Sequence, residues 1–282
     1  MNKIENIIEF KNVSYQKPLS KHILKNINLN IKKGEFITII GTNGSGKSTL
    51  AKHFNGLLIP SEGEVIINGK NTKSETENFE IKKNVGMIFQ NPDNQIVACT
   101  VEEEIAFGME NLCFSHEKME KNMHQALQDV KLKGYEKSLT NSLSGGEKQR
   151  LTIASVLAME PKVLVLDEPT SMLDNESKKQ ILNIILKLNK EKNITVILIT
   201  HFIQETFYAD KTAIMNSGSI VAFDTTKNIL SNVNLLKKNK LLPPESICLL
   251  NFLKNKGYNV DLNECSNKAC AEQIIEILEN IK

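Results

Sequence analysis

No stretch of this sequence approaches the roughly 20 consecutive apolar residues that a membrane-spanning helix requires. Its apolar runs, such as residues 194–199, are the length of strands. The chain is therefore not expected to cross a bilayer by itself. Net charge is also nearly absent, with 35 Lys and Arg against 33 Asp and Glu and a formal +2. That balance removes the electrostatic argument for a nucleic-acid surface, and no nucleic-acid partner is expected. The cysteines (Cys99, Cys113, Cys248, Cys265, Cys270) are five in number and contain no C-x-x-C pair. Neither a disulfide framework nor a zinc knuckle is implied, and a reducing cytosol fits. Near the start, Lys3, Glu5 and Glu9 interrupt the apolar residues. A signal peptide would need an unbroken hydrophobic stretch there, so the chain is expected to stay inside the cell. Internal repeats and low-complexity tracts are missing too.

What is present is an ordinary globular composition, 40% hydrophobic over 282 residues, enough for one large core or a main domain with a small appendage. Residues 7–13 alternate imperfectly, residues 23–31 read Ile-Leu-Lys-Asn-Ile-Asn-Leu-Asn-Ile, and residues 64–68 run into Asn68-Gly69. This pattern predicts antiparallel strands joined by tight turns. From Phe36 the character changes. Residues 36–40 form a continuous apolar strand of the buried parallel kind, then a glycine-rich turn and a helix over about 47–57. Two more apolar strands, 163–166 and 195–199, flank a helix over about 175–190 with Ile181, Ile185 and Leu188 on one face, which is a βαβ unit. Between the halves, Met119, Met123, Ala126, Leu127 and Val130 recur at helical spacing and a second helix follows Ser144, so residues 91–160 read as a helical subdomain. Beyond about residue 230 the pattern weakens. Pro243-Pro244-Glu245 starts a helix, Gly257 stops it, and Ile274, Ile275, Leu278 and Ile281 line one face of a last helix.

Three segments carry chemistry. Gly41-Thr42-Asn43-Gly44-Ser45-Gly46-Lys47-Ser48, followed by Thr49, matches G-x-x-x-x-G-K-[ST] between a strand and a helix, where that pattern cradles phosphates. Its backbone N–H groups turn toward phosphate oxygens, the helix N-terminus adds its positive dipole end, Lys47 reaches the terminal phosphates and Ser48 can ligate Mg²⁺. Val163-Leu164-Val165-Leu166-Asp167-Glu168 ends an apolar strand in two acids, with Asp167 placed to hold Mg²⁺ and Glu168 to polarise a water. Adjacent acids alone would read as a solvated turn; beside a phosphate loop they complete a hydrolytic site. Leu143-Ser144-Gly145-Gly146-Glu147 reads as a helix start, Ser144 being the N-cap and Glu147 its capping-box partner.

This last segment resembles the signature of the ABC ATPase family, Leu-Ser-Gly-Gly-Gln, and Gln149-Arg150 follow it as they do there. The resemblance covers about residues 5–225 with the motifs in the family's order. It implies an α/β P-loop NTPase with an antiparallel β subdomain, the helical subdomain and a small C-terminal extension, that is, a nucleotide-binding domain over 5–230 and an accessory helical element over 231–282. It also implies roles. Tyr15, which alone would read as packing at a strand end, corresponds to the aromatic that stacks on adenine. Gln90 corresponds to the glutamine bridging Mg²⁺ and the transmembrane partner, Asp174 to the aspartate of the loop after the acidic pair, and His201 to the histidine that contacts the γ-phosphate. His22, His53, His116 and His124 read as structural.

Two positions depart from the family pattern: Glu147 where glutamine is usual, and Met172 where a small alanine is usual. A carboxylate near phosphate would be repelled, so Glu147 is expected to fold back onto the Ser144 backbone as a cap. Met172 is expected to adjust a subunit contact. In the family, Ser144, Gly145 and Gly146 face phosphates held by the opposite subunit, so ATP is sandwiched between two ATPase chains, identical or paralogous, and closure drives a membrane partner. Phe89-Gln90-Asn91-Pro92-Asp93-Asn94-Gln95-Ile96 with Glu102-Glu103-Glu104-Ile105-Ala106-Phe107-Gly108 looks like the first of the two paralogous ATPases of energy-coupling factor importers, and Leu242-Pro243-Pro244 resembles their C-terminal extension. Such systems import vitamins or transition metals through a transmembrane coupling protein and a separate substrate-capture membrane protein, with the ATPase on the cytoplasmic face of the membrane. Other readings are the ATPase of another solute importer, such as one for amino acids, a non-transport ABC ATPase acting on DNA or ribosomes, and a binding-only subunit. A single phosphate loop without a heptad run argues against the non-transport reading, and intact Glu168 and His201 argue against the binding-only one.

Overall fold

The structure, a computed structural model, describes residues 6–17, 22–262 and 267–281. Lys3, Glu5 and Cys265 lie outside the described residues, as does the side chain of Ile281. In chain order come β1 (Asn6–Gln16), β2 (His22–Lys32), β3 (Phe36–Gly41), α1 (Lys47–Phe54), β4 (Glu62–Ile67), β5 (Lys70–Asn71), α2 (Glu75–Asn84) and β6 (Val85–Ile88). The helices α3 (Val101–Asn111), α4 (His116–Asp129) and α5 (Gly145–Ala158) follow, then β7 (Val163–Asp167), α6 (Asn175–Lys192), β8 (Thr195–Thr200), β9 (Lys211–Asn216) and β10 (Ser219–Thr225). Four helices close the described chain: α7 (Thr226–Ser231), α8 (Val233–Lys238), α9 (Glu245–Asn255) and α10 (Asn267–Ile281).

The alternating front of the sequence folds as expected into an antiparallel sheet ordered β2-β1-β4-β5. Asn68 and Gly69, with φ of 48° and 78°, make its tight β4–β5 turn. The continuous apolar strands go to a second sheet ordered β10-β9-β3-β8-β7-β6, in which β9, β3, β8, β7 and β6 run parallel. Alternation within those strands divides two cores. Ile37, Ile39, Val163, Val165, Ile197 and Ile199 pack toward α1 and the antiparallel sheet, while Phe36, Leu164, Leu166, Val196 and Leu198 pack toward α5 and α6. Each such side chain contributes about 1.5–3 kcal/mol when fully buried, and these strands are the rigid floor on which the chemistry stands.

The βαβ unit β7-α6-β8 is parallel, and Ile181, Ile185 and Leu188 are buried as anticipated. Helix α1 stops at Phe54 rather than near residue 57, because Asn55 leaves helical geometry and Gly56 takes φ 70°. The apolar face of α10 is also shifted. Cys270, Ile274 and Ile277 pack with Leu250, Leu253 and Val260, whereas Ile275 and Leu278 are exposed. Residue 230 falls inside α7, and Leu236 of α8 shares one cluster with Ile40, Ile214 and Ile229. The helices just past β10, α7 and α8, therefore pack on β3 through Ile40. Elements α2, β6, β9 and β10 carried no strong periodicity; α2 buries only Ile81 and β6 is four residues long.

Candidate functional site

Four adjacent parallel strands, β3, β8, β7 and β6, end side by side, and the carboxyl ends of such strands are where open α/β sheets bind ligands. Leaving those ends are the phosphate-type loop after Gly41, His201 after Thr200, Glu168 after Asp167, and Gln90 two residues past Ile88. The spacing seen in sequence thus becomes one edge of a sheet.

The loop has to be glycine-rich at two positions. Gly46 takes φ 102°, and a Cβ there would meet the Met215 methyl at 3.0 Å. On Gly41 a Cβ would sit 2.2 Å from the Met215 carbonyl oxygen. Gly46 is the N-cap of α1 and offers no side-chain cap, so the first N–H groups of that helix have no side-chain acceptor. The Ser45 hydroxyl is buried without a hydrogen-bond partner among the described residues. Lys47, 5% exposed, folds over the loop and donates from Nζ to the carbonyls of Gly41 at 2.9 Å and Thr42 at 3.1 Å, with the Glu168 carboxylate 3.9 Å away. Burial lowers its pKa, an effect opposed by the charges of Glu168 and Asp167.

Ser48 donates to Asp167 Oδ1 at 3.2 Å. Burial raises the Asp167 pKa, the Ser48 hydroxyl opposes that, and the neighbouring Glu168 charge adds to it. A buried carboxylate in this condition gains from a cation. Among the described residues no group of three or more His, Cys, Asp or Glu forms a metal cage. The Ser48–Asp167 oxygen pair instead suits Mg²⁺, a hard ion bound by one or two carboxylates and completed by phosphate and water.

Glu168 is held in a left-handed backbone conformation, φ 51°, which costs a non-glycine residue of order 1 kcal/mol or more. Its N–H donates to Ile199 O at 2.9 Å, and Ser171 Oγ donates to its carbonyl at 3.0 Å. Besides Lys47 at Oε1, the side chain meets Gln90, whose Nε2 donates to Oε2 at 3.3 Å, and His201, whose Nδ1 lies 3.3 Å from the same oxygen. Gln90 Nε2 also reaches Ser171 Oγ at 3.2 Å. Ser171 went unnoticed in the sequence; a serine three residues past the acid is a small signal that only geometry interprets.

A cleft of about 440 Å³ lies over this edge, lined by loop residues including Asn43, Gly44, Lys47, Ser48 and Thr49, with Ile23, Gln90 and Glu168. A second, of about 390 Å³, adjoins it, lined by Gly41, Thr42, Asn43 and His201. Tyr15 lines neither of these; it packs edge-on against His53 with ring centroids 4.9 Å apart. His53 is fully buried and accepts no phosphate-side role: its Nδ1 pairs with Thr49 O at 2.8 Å and burial lowers its pKa.

The remaining anticipated residues gather elsewhere. Ser144 and Glu147 form a complete capping box at the start of α5: Glu147 Oε2 accepts from Ser144 N–H at 2.8 Å and from Ser144 Oγ at 2.7 Å. Glu147 thus folds back as anticipated, and the Ser144 bonds lower its pKa. Asp174 caps α6, accepting from the N–H groups of Glu176 and Ser177 and from Ser177 Oγ at 2.7 Å. A Cβ on Gly146 would stand 2.6 Å from that same Ser177 Oγ, so the Ser144 segment and Asp174 are neighbours. Met172 is 64% exposed beside them.

A family model described as ABC transporter matches residues 24–171. The chain is 45% identical to the energy-coupling factor transporter ATP-binding protein EcfA1 of Clostridium novyi over 275 residues, covering 94% of this chain and 98% of that one. Among solved structures it is similar to cbiO1 from Clostridium perfringens, part of the ABC transporter complex cbiONQ, with TM-score 0.77 and 34% identity over 88% of this chain and 99% of that one. It is also similar to a dimeric ATP-binding cassette in a post-hydrolysis state bound to ADP and Pi, with TM-score 0.69 and 31% identity over 78% of this chain and 98% of that one.

Proposed function

Because this chain belongs to the ABC transporter ATPases, and within them to the ATP-binding proteins of energy-coupling factor transporters, we propose that its hydrolysis of ATP drives an importer of vitamins or transition-metal ions from the cytoplasmic face of the membrane. The observation that carries the reading is the convergence of Lys47, Ser48, Asp167, Glu168, Gln90 and His201 on the ends of four adjacent strands. The uncapped α1 N-terminus, residues 41–49 and Lys47 bind the phosphates. Tyr15 is given the adenine-facing role by the family resemblance, although it lines neither cleft. Ser48, Asp167 and Gln90 would hold Mg²⁺, which supplies charge neutralisation on the phosphate oxygens when bound. Glu168 accepts a proton from water as its oxygen bonds to the γ-phosphorus and the bond from that phosphorus to the bridging oxygen breaks. His201, in contact with the same carboxylate, reads the γ-phosphate.

Two chains complete each site. The Ser144, Gly145 and Gly146 terminus would face the phosphates held by the other ATPase, with Asp174 beside it, and ATP hydrolysis reopens the pair. No described helix is long and apolar enough to cross a membrane, so transport requires membrane subunits. A cleft of about 600 Å³ between α3 and α4, lined by Phe107, Met119 and Met123 with Glu110, Glu120, His116 and His124, suits the docking of an amphipathic segment of such a coupling protein. Co-purification from membranes followed by mass spectrometry tests the assignment. It is expected to recover a second ATPase, a coupling protein and a substrate-capture protein; recovery with amino-acid importer subunits, or with ribosomes and no membrane protein, would contradict it.

A further inference from the structure

Glu205 lies in the short helical turn Ile203–Tyr208 just after His201, and only 4% of its surface is exposed. A carboxylate at that depth is costly unless hydrogen-bonded. It accepts from Thr170 Oγ1 at 2.6 Å, and Thr170 itself is 1% exposed. The other oxygen, Oε2, is buried with no hydrogen-bond partner among the described residues. Replacing a buried polar pair with apolar groups of the same shape is often neutral for stability, so packing does not account for an acid here.

Its position does. Thr170 stands between Glu168 and Ser171, the residue whose hydroxyl joins the Glu168 carbonyl to the Gln90 amide. Its carbonyl accepts from Leu173 N–H at 3.2 Å, the last residue before Asp174. On the opposite side, Glu205 N–H donates to Phe202 O at 3.1 Å, one residue past His201. The Thr170–Glu205 bond therefore ties the turn that carries Glu168 to the turn that carries His201, beneath the contact those two side chains make at the surface of the cleft.

We propose that Glu205 is a positioning residue for hydrolysis: its hydrogen bond from Thr170 fixes the Glu168–Ser171 turn against the His201 turn, so that Glu168, His201 and Gln90 address one water. This rests on the reading of Glu168 as the base. Among the described residues the hydrogen bonds of Thr170 and Glu205 go to none of residues 41–49, so phosphate binding is expected to be independent of the pair.

The test measures ATP turnover of the full chain with its co-purified partners, and binding of a fluorescent Mg-ATP analogue by the same samples. Thr170→Val keeps the shape and deletes the donor. Turnover is expected to fall about 10- to 100-fold, the scale of a small misplacement of a catalytic group, with nucleotide affinity within about twofold of the parent. Thr170→Ser and Glu205→Gln keep a donor and an acceptor and are expected to retain most of the turnover. Glu205→Ala against Glu205→Gln is an independent pair should valine disturb folding; equal rates in those two would overturn the proposal. So would a turnover loss in Thr170→Val that tracks lost affinity, or one matched by Thr170→Ser. Glu168→Gln is the reference: if it stops turnover while Thr170→Val does not, the positioning role alone fails, and if Glu168→Gln turns over normally, the underlying site reading fails.

Discussion

At the start of α1, Gly46 supplies no side-chain cap and the neighbouring Ser45 hydroxyl is buried without a partner among the described residues. At the start of α5, Ser144 and Glu147 cap each other through both of their bonds. The first terminus follows a glycine-rich loop, the second opens with Gly145 and Gly146 themselves, and both carry the positive end of a helix dipole, yet one is left open and the other is filled by the chain's own carboxylate. An open terminus beside Lys47 and Asp167 is ready to take an anion unaided. A filled terminus has less to gain from a free phosphate, and on the proposed reading it would engage one only when a second chain brings it within reach. The difference fits the proposed two-chain site, in which binding would belong to the first terminus and turnover to both.

The largest break in that division comes from Glu168→Gln. Turnover is expected to fall by about 10²–10⁴-fold, the usual contribution of a positioned base, while α1 still holds nucleotide; undiminished turnover would remove Glu168 from the role.

Asp167→Asn sharpens the open half. Because burial raises the Asp167 pKa, the folded chain holds that proton more tightly than the unfolded one. The stability this provides is present at low pH and is lost as pH rises through the folded pKa. At neutral pH the nucleotide-free asparagine variant should therefore melt higher, by about 2–4 °C for a change near 1 kcal/mol in a chain of this size, with the gain shrinking as pH falls, while Mg²⁺ no longer strengthens ATP binding. A lower melting point throughout would show that the carboxylate is held by contacts rather than strained by burial.

The smallest effect concerns the filled half. Glu147→Gln removes a negative charge from the terminus meant to meet phosphate, and ATP-driven association of the ATPase pair is expected to strengthen about fivefold, matching the roughly 1 kcal/mol between unit charges 4 Å apart in water. Weaker association would mean that the cap matters more than the charge.

Most of the first half was legible in the sequence because its signals are local. A strand, a glycine turn and a Lys-Ser pair lie within a dozen residues, and Asp167 and Glu168 end an apolar strand. The capping box was legible for the same reason, as Ser144 and Glu147 are three residues apart. What could not be read were contacts across long separations: Ser171 joining Gln90 to Glu168, 78 residues apart in sequence, and the Thr170–Glu205 bond, spanning 35. Weakly patterned elements such as α2 and β6 were missed because neighbouring strands, not their own periodicity, hold them in place. The face of α10 was misplaced because its packing partners, α9 and Val260 in the connection between them, select among its apolar residues.

Ser144→Arg tests the two-terminus account most directly, measured as Mg-ATP affinity in the isolated chain and turnover in the assembled transporter. The account predicts affinity within about twofold of the parent and turnover lower by at least about 100-fold. A parallel loss of affinity in the isolated chain would place Ser144 at its own chain's nucleotide and contradict the division of labour between α1 and α5.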